Sequence, residues 1–326
     1  MGEDERRGRD GAGAGPRAGA GPRAGAGPRA GAGLDDGGAD VDRSSTPPYG
    51  ASGGRDGEDD HAPAPLGQEA PEVVEDAAII GEQRLDRSVA GDVVTSFIGG
   101  MAICFGLIAM AFAGAAVGGG VDHPSIALLV GALAYPVGFV ILLIGKSELF
   151  TENFLLPVTG VIEGHGTVRQ LGALWAVSLS ANLAGVVVFA ALISRGDVLA
   201  AESAAEIVAV AEQVVAYDLT TTFIKAIFAG WLMTILTWLL LAAEGLGPRL
   251  VIIWLIGTLL VLGQFGHVII SAAEIFMAMF LGADISVGTW FGGVFVPTLV
   301  GNILGGVIFV TLLQVIQSRV ETAEER

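Results

Sequence analysis

Two stretches of this chain place chemically active side chains inside otherwise apolar text. One is "LIGKSELFTENFLLPV", residues 143–158, which holds Lys146, Glu148 and Glu152 within seven positions. The other is "GQFGHVIISAAEIF", residues 263–276, which holds His267 and Glu274. His267 is the only histidine inside an apolar run, because His61, His123 and His165 fall in the N-terminal tail or in loops. Imidazole changes charge near neutral pH, so His267 could give a proton to a weak-acid anion. The neutral acid then crosses an apolar constriction far more cheaply than its anion. The other reading is that His267 hydrogen-bonds a carbonyl freed by a helix break. Glu148 and Glu274 likewise have two readings. They brace a break by accepting exposed backbone N–H groups, or they line a pore and repel anions. Lys146 pairs with Glu148 or Glu152, snorkels to a membrane face, or attracts substrate.

The elements that must position these residues are membrane helices. Apolar runs at 93–118, 125–144, 171–193, 222–243, 250–281 and 289–315 reach or exceed the length needed to cross a bilayer. Gly263, Gln264 and Gly266 interrupt the fifth run, and the charged stretch interrupts the second, so both are expected to break. Arg84, Arg87, Arg169, Arg249 and Arg319 fall on one side of this topology, which predicts six spans with both termini cytoplasmic in the plasma (inner) membrane. Residues 197–218 have helical periodicity and suit a surface helix on the other side.

Residues 1–87 differ in kind. They are rich in Gly, Ala, Pro, Asp and Arg, with three successive Ala-Gly-Ala-Gly-Pro-Arg units from Ala12 to Arg29, a composition expected to stay disordered. Residues 88–318 form the expected transmembrane domain, and residues 319–326 a short charged tail. About half of the formal charge of -17 lies in the first 87 residues, with 18 acidic and 10 basic side chains. So acidic a chain argues against nucleic acid. Cys104 is the sole cysteine, which leaves no disulfide framework or thiolate metal site. No metal, cofactor or enzymatic constellation is expected.

The chain also repeats itself. "SELF" at 147–150 returns as "AEIF" at 273–276, and "ANLAGVVVF" at 181–189 returns as "GNILGGVIF" at 301–309, in the same order. Three spans per half force the second half to run in the opposite direction, an inverted repeat of the transporter kind. In this reading Glu148 matches Glu274, while Asn182 and Asn302 sit where small residues let helices three and six pack closely.

With "SELFTEN", "FIKAIFAGWLMTILTWLLLA", "FGHVIISAAEIF" and "VPTLVGNILGGVIFV", the chain resembles the formate/nitrite transporter family over about residues 90–317. The resemblance implies an all-α, aquaporin-like fold of six helices in three-plus-three inverted repeat, with helices two and five broken, one pore per subunit and a homopentamer. It also implies that Thr151 and His267 are pore residues, and that Leu149, Tyr135 and Phe139 form an apolar constriction. Three departures stand out: Gly266 before His267 with Glu274 seven residues after it, Asp218 where relatives carry a lysine, and Lys146 and Glu152 at sites usually small or polar. The expected function is transport of a small monovalent anion or its conjugate weak acid. The alternatives are a neutral-solute or cation channel, or a membrane scaffold or sensor.

Overall fold

The computed structural model describes residues 68–118 and 124–324. Most of the expected disordered segment, 1–67, and the loop carrying His123 lie outside the described residues. Helix α1, Ala70–Leu85, corrects the remainder of that expectation. Its acidic residues conceal an apolar stripe of Val73, Val74, Ala77, Ala78 and Leu85, which is buried. Ala77 packs with Leu155 and Leu156 against the end of a long helix at Trp238 and Leu241. Residues 319–324 of the expected charged tail continue the last helix, which runs on to Glu324.

Among the described residues nine further helices follow α1: α2 Val89–Gly118, α3 Ser125–Ile144, α4 Leu156–Ile162, α5 Val168–Ile193 and α6 Ala201–Ala216. Then come α7 Leu219–Ala242, α8 Leu246–Leu262, α9 Val268–Phe280 and α10 Val287–Glu324. Five of them, in α2, α3, α5, α7 and α10, are long and apolar enough to cross a membrane. At 1.5 Å per residue even the 20 residues of α3 match a hydrocarbon core of about 30 Å. The fifth apolar run forms α8 and α9, of 17 and 13 residues. A 3₁₀ turn, Phe150–Phe154, separates α3 from α4.

Small residues set the closeness of the long helices. A Cβ on Gly100 of α2 would lie 2.1 Å from the Asn182 carbonyl oxygen of α5, and one on Gly230 of α7 would lie 2.1 Å from that of Asn302 in α10. Only glycine allows either approach. Helix α6 forms within the segment expected to lie on the surface, but it buries Ser203, Ile207 and Ala211.

Candidate functional site

The site is built where α3 and α8 stop short. Both helices end in the same hydrogen-bonded cap. After α3, Ser147 N–H donates to Leu142 O at 3.1 Å and Lys146 N–H to Leu143 O at 3.3 Å. After α8, Phe265 N–H donates to Leu260 O at 3.1 Å and Gln264 N–H to Val261 O at 2.9 Å. The residue that turns the chain is left-handed in both caps, Lys146 at φ 61° and Gln264 at φ 49°. Neither is glycine, so each turn carries strain of about 1 kcal/mol.

Two asparagines then satisfy the backbone that the breaks expose. Asn182 Oδ1 accepts from Phe150 N–H at 2.7 Å, while its amide donates to Ser96 O at 2.5 Å and Glu148 O at 2.9 Å. Asn302 Oδ1 accepts from Val268 N–H at 2.9 Å, and its amide donates to Ala226 O at 2.8 Å and Gly266 O at 2.9 Å. Both asparagines are fully buried. They pack at the close helix crossings, and beyond packing they hold the two breaks in place. Their partners set Phe150 against Val268, hence Leu149 against His267 and Glu148 against Gly266. The pairing of Glu148 with Glu274 is therefore corrected, since the equivalent of Glu148 lies eight residues before Glu274. "SELF" and "AEIF" are alike in letters but occupy different places.

His267 and Thr151 come together from the two breaks. Both are fully buried, with Thr151 Oγ1 2.8 Å from His267 Nε2. His267 caps α9: its Nδ1 accepts from the backbone N–H of Ile269 and Ile270, each at 3.3 Å. An accepting Nδ1 assigns the proton of the neutral ring to Nε2, which donates to Thr151. The threonine hydroxyl is then free to donate onward. Leu149, Tyr135 and Phe139 are buried in one apolar cluster beside this pair, with the Tyr135 and Phe139 rings edge-on at 5.8 Å. The Tyr135 hydroxyl has no hydrogen-bond partner among the described residues.

The charged residues sort differently from their expected pairing. Arg87 Nη2 donates to Glu148 Oε1 at 2.7 Å, and Arg84 Nε lies 3.5 Å from the same oxygen. Arg84 also reaches Glu152 at 3.3 Å and Asn153 Oδ1 at 2.8 Å. The hydrogen bond to Glu148 holds the Arg87 guanidinium above its ordinary pKa. The carboxylate that braces backbone is that of Glu152, which accepts from Leu149 N–H at 3.0 Å, so the bracing role expected of the Glu148 side chain is corrected. Lys146 is exposed and pairs with neither glutamate. At the other break, Lys225 Nζ donates to Gly263 O at 3.2 Å and Gln264 O at 3.3 Å and sits 4.6 Å above the Tyr217 ring. Tyr217 O–H donates to Gln264 Oε1 at 2.7 Å. Glu274 is half-buried and lines a cavity of about 90 Å³ with Tyr217, Gln264 and Ser271.

Sequence reasoning counts Arg84 and Arg87 only as loop charges and Gln264 only as an interruption of the fifth run, and it passes over Asn153 and Tyr217. Asn153 had a signal, since it closes the quoted "SELFTEN". Among the described residues no three His, Cys, Asp or Glu side chains gather as a metal site requires.

A bundle of apolar helices whose buried centre holds a histidine–threonine contact between two helix breaks defines an integral membrane protein of the transporter or channel class. Residues 71–316 match the formate/nitrite transporter family, and the chain belongs to that family. It is 28% identical to Inner membrane protein YfdC of Escherichia coli strain K12, over 60% of this chain and 62% of that protein, so it spans less than two thirds of that relative. It is 27% identical to Uncharacterized transporter YrhG of Bacillus subtilis strain 168, over 74% of this chain and 91% of that protein. Its fold matches a solved pentameric formate channel with formate bound at a TM-score of 0.61 and 18% identity, over 70% of this chain and 96% of that one.

Proposed function

We propose that this protein carries a small monovalent anion of the formate or nitrite kind, or its conjugate weak acid, across a membrane with protonation of the anion at His267. The observation that carries this reading is the buried 2.8 Å contact between His267 and Thr151. Nε2–H and the threonine hydroxyl form a two-step donor chain where the ends of two helices meet. An anion reaching Thr151 accepts a hydrogen bond from its hydroxyl, takes a proton delivered through water from the acidic side, and leaves as the neutral acid between Leu149, Phe139 and Tyr135, while the neutral ring keeps its Nε2 proton. That route removes the desolvation cost of the charge from the apolar passage.

The two matching breaks support a three-plus-three inverted repeat. In that arrangement α3 with α4 and α8 with α9 each make one interrupted crossing, bringing the crossings to six. Helices α1 and α6, 16 residues each, precede the two halves in equivalent positions. The pentameric neighbour supports a homopentamer with one pore per subunit, and the loop charges support cytoplasmic termini in the plasma (inner) membrane. The test is uptake of formate, nitrite and acetate into proteoliposomes with and without an imposed pH gradient. Uptake that rises with an inward proton gradient is expected. A protein that moves only cations or uncharged solutes would overturn the reading.

A further inference from the structure

Two carboxylates, Glu148 and Glu152, bracket the Leu149–Thr151 segment, and a buried negative charge beside an anion path should close it. Both carboxylates are answered from α1 and the turn after it. Arg87 holds Glu148 at 2.7 Å, and Arg84 lies 3.5 Å from Glu148 and 3.3 Å from Glu152. A cavity of about 470 Å³ opens beside this cluster, lined by Arg84, Arg87, Lys146 and Arg249 against Glu148 and Glu152. Four basic and two acidic side chains leave it electropositive. Without the two arginines its charge would be level, and Asp92, 3.7 Å behind Arg87, would tip the region acidic.

We propose that Arg84 and Arg87 are specificity-determining residues: they neutralise Glu148 and Glu152 and so keep this mouth of the pore attractive to a small monoanion. The inference rests on the anion-transport reading above. It gives α1 a part in the pore mouth, although α1 is not among the helices long and apolar enough to cross a membrane. Docking of α1 does not depend on the arginines alone, since its apolar stripe is buried and Gly81 packs on the Leu156 carbonyl.

The test uses the full-length protein in proteoliposomes, with formate as probe at concentrations below saturation. R84Q/R87Q should lower uptake about tenfold at low ionic strength, in line with the effect of local charge on ion capture. The loss should shrink in high salt, because steering of an anion from solution into the open cavity weakens with ionic strength; a merely structural defect would not. Adding E148Q and E152Q to that variant should restore most of the uptake, because glutamine keeps the acceptor that Leu149 N–H needs. R84K/R87K should retain most of it. If R84Q/R87Q fails to assemble, E148Q/E152Q decides by itself: low-salt uptake should rise, and equal or lower uptake overturns the proposal. So does an assembled R84Q/R87Q protein that matches the parent, or a loss that salt and the four-fold variant leave unchanged. Failure of the parent to take up any monoanion overturns the transport reading, whereas parental uptake indifferent to the arginines overturns this inference alone.

Discussion

After Ile144 and after Leu262 the chain follows the same route, through the same cap, a left-handed non-glycine residue and an asparagine that collects the freed backbone groups. What fills the route differs. The position before the resumed helical turn is Leu149 at one break and His267 at the other. Around the first lie Arg84, Arg87, Glu148 and Glu152; around the second lie Tyr217, Gln264 and Lys225. The lesson is that backbone geometry and chemistry are separable here. The shared hydrogen bonds keep the chain beyond the ends of α3 and α8 from costing several kcal/mol of unsatisfied polar groups in an apolar surround. They leave the side chains beside them free to carry charge on one face and a proton donor at the other break.

The comparison breaks most sharply at its central position. His267→Phe removes both the cap of α9 and the partner of Thr151, and is expected to lower pH-coupled formate uptake by about a hundredfold or more while the protein still assembles. His267→Asn should do the same, and undiminished uptake in either would remove His267 from the mechanism. The scaffold is tested next. Asn182→Ala and Asn302→Ala each strand one buried N–H and one loop carbonyl, that of Glu148 or Gly266, at about 1–3 kcal/mol per unsatisfied group. Thermal melting in detergent should show two similar losses, and clearly unequal ones would mean that the breaks are not equivalent.

Smaller effects sharpen the contrast between the turns. Lys146→Gly relieves the left-handed strain, so a gain of up to about 1 kcal/mol is expected in the same melting assay. Gln264→Gly should gain less or lose, because it also gives up the bond from Tyr217. The smallest change concerns Asp218, which caps α7. Thr221 Oγ1 donates to its carboxylate, as do the N–H groups of Thr220 and Thr221, and these bonds hold its pKa below the ordinary range. A depressed folded pKa means that its stabilisation is present above the ordinary aspartate range and is lost as pH falls through the depressed value. Asp218→Asn should flatten that part of the acid dependence of melting; an unchanged profile would show that the cap does not titrate with folding.

How much of this was legible depended on the range of the interaction. Long apolar runs and the composition shift between tail and helices are local signals, and they pointed to a membrane bundle. His267 and Thr151 stood out because a histidine in an apolar run is rare and the family text marks the threonine. Asn182 and Asn302 were visible as a repeated word, but their clamp was not, because it joins residues 32 and 34 positions apart. Arg84 and Arg87 reach partners 68 and 61 residues away, and such distant pairing leaves no periodicity in the sequence. The same apolar-acidic wording misled at "AEIF", where similar letters sit at different depths. The start of the folded region was misplaced because α1 is built from small apolar residues interleaved with glutamates.

The cap that His267 gives α9 has a consequence for traffic. With Nδ1 committed to Ile269 and Ile270, the ring cannot take a proton on one side and release it on the other. It has a single working nitrogen, turned toward Thr151. A cargo anion and the proton that neutralises it must therefore come to the ring and leave it through the same doorway, which makes the site a turnstile rather than a wire.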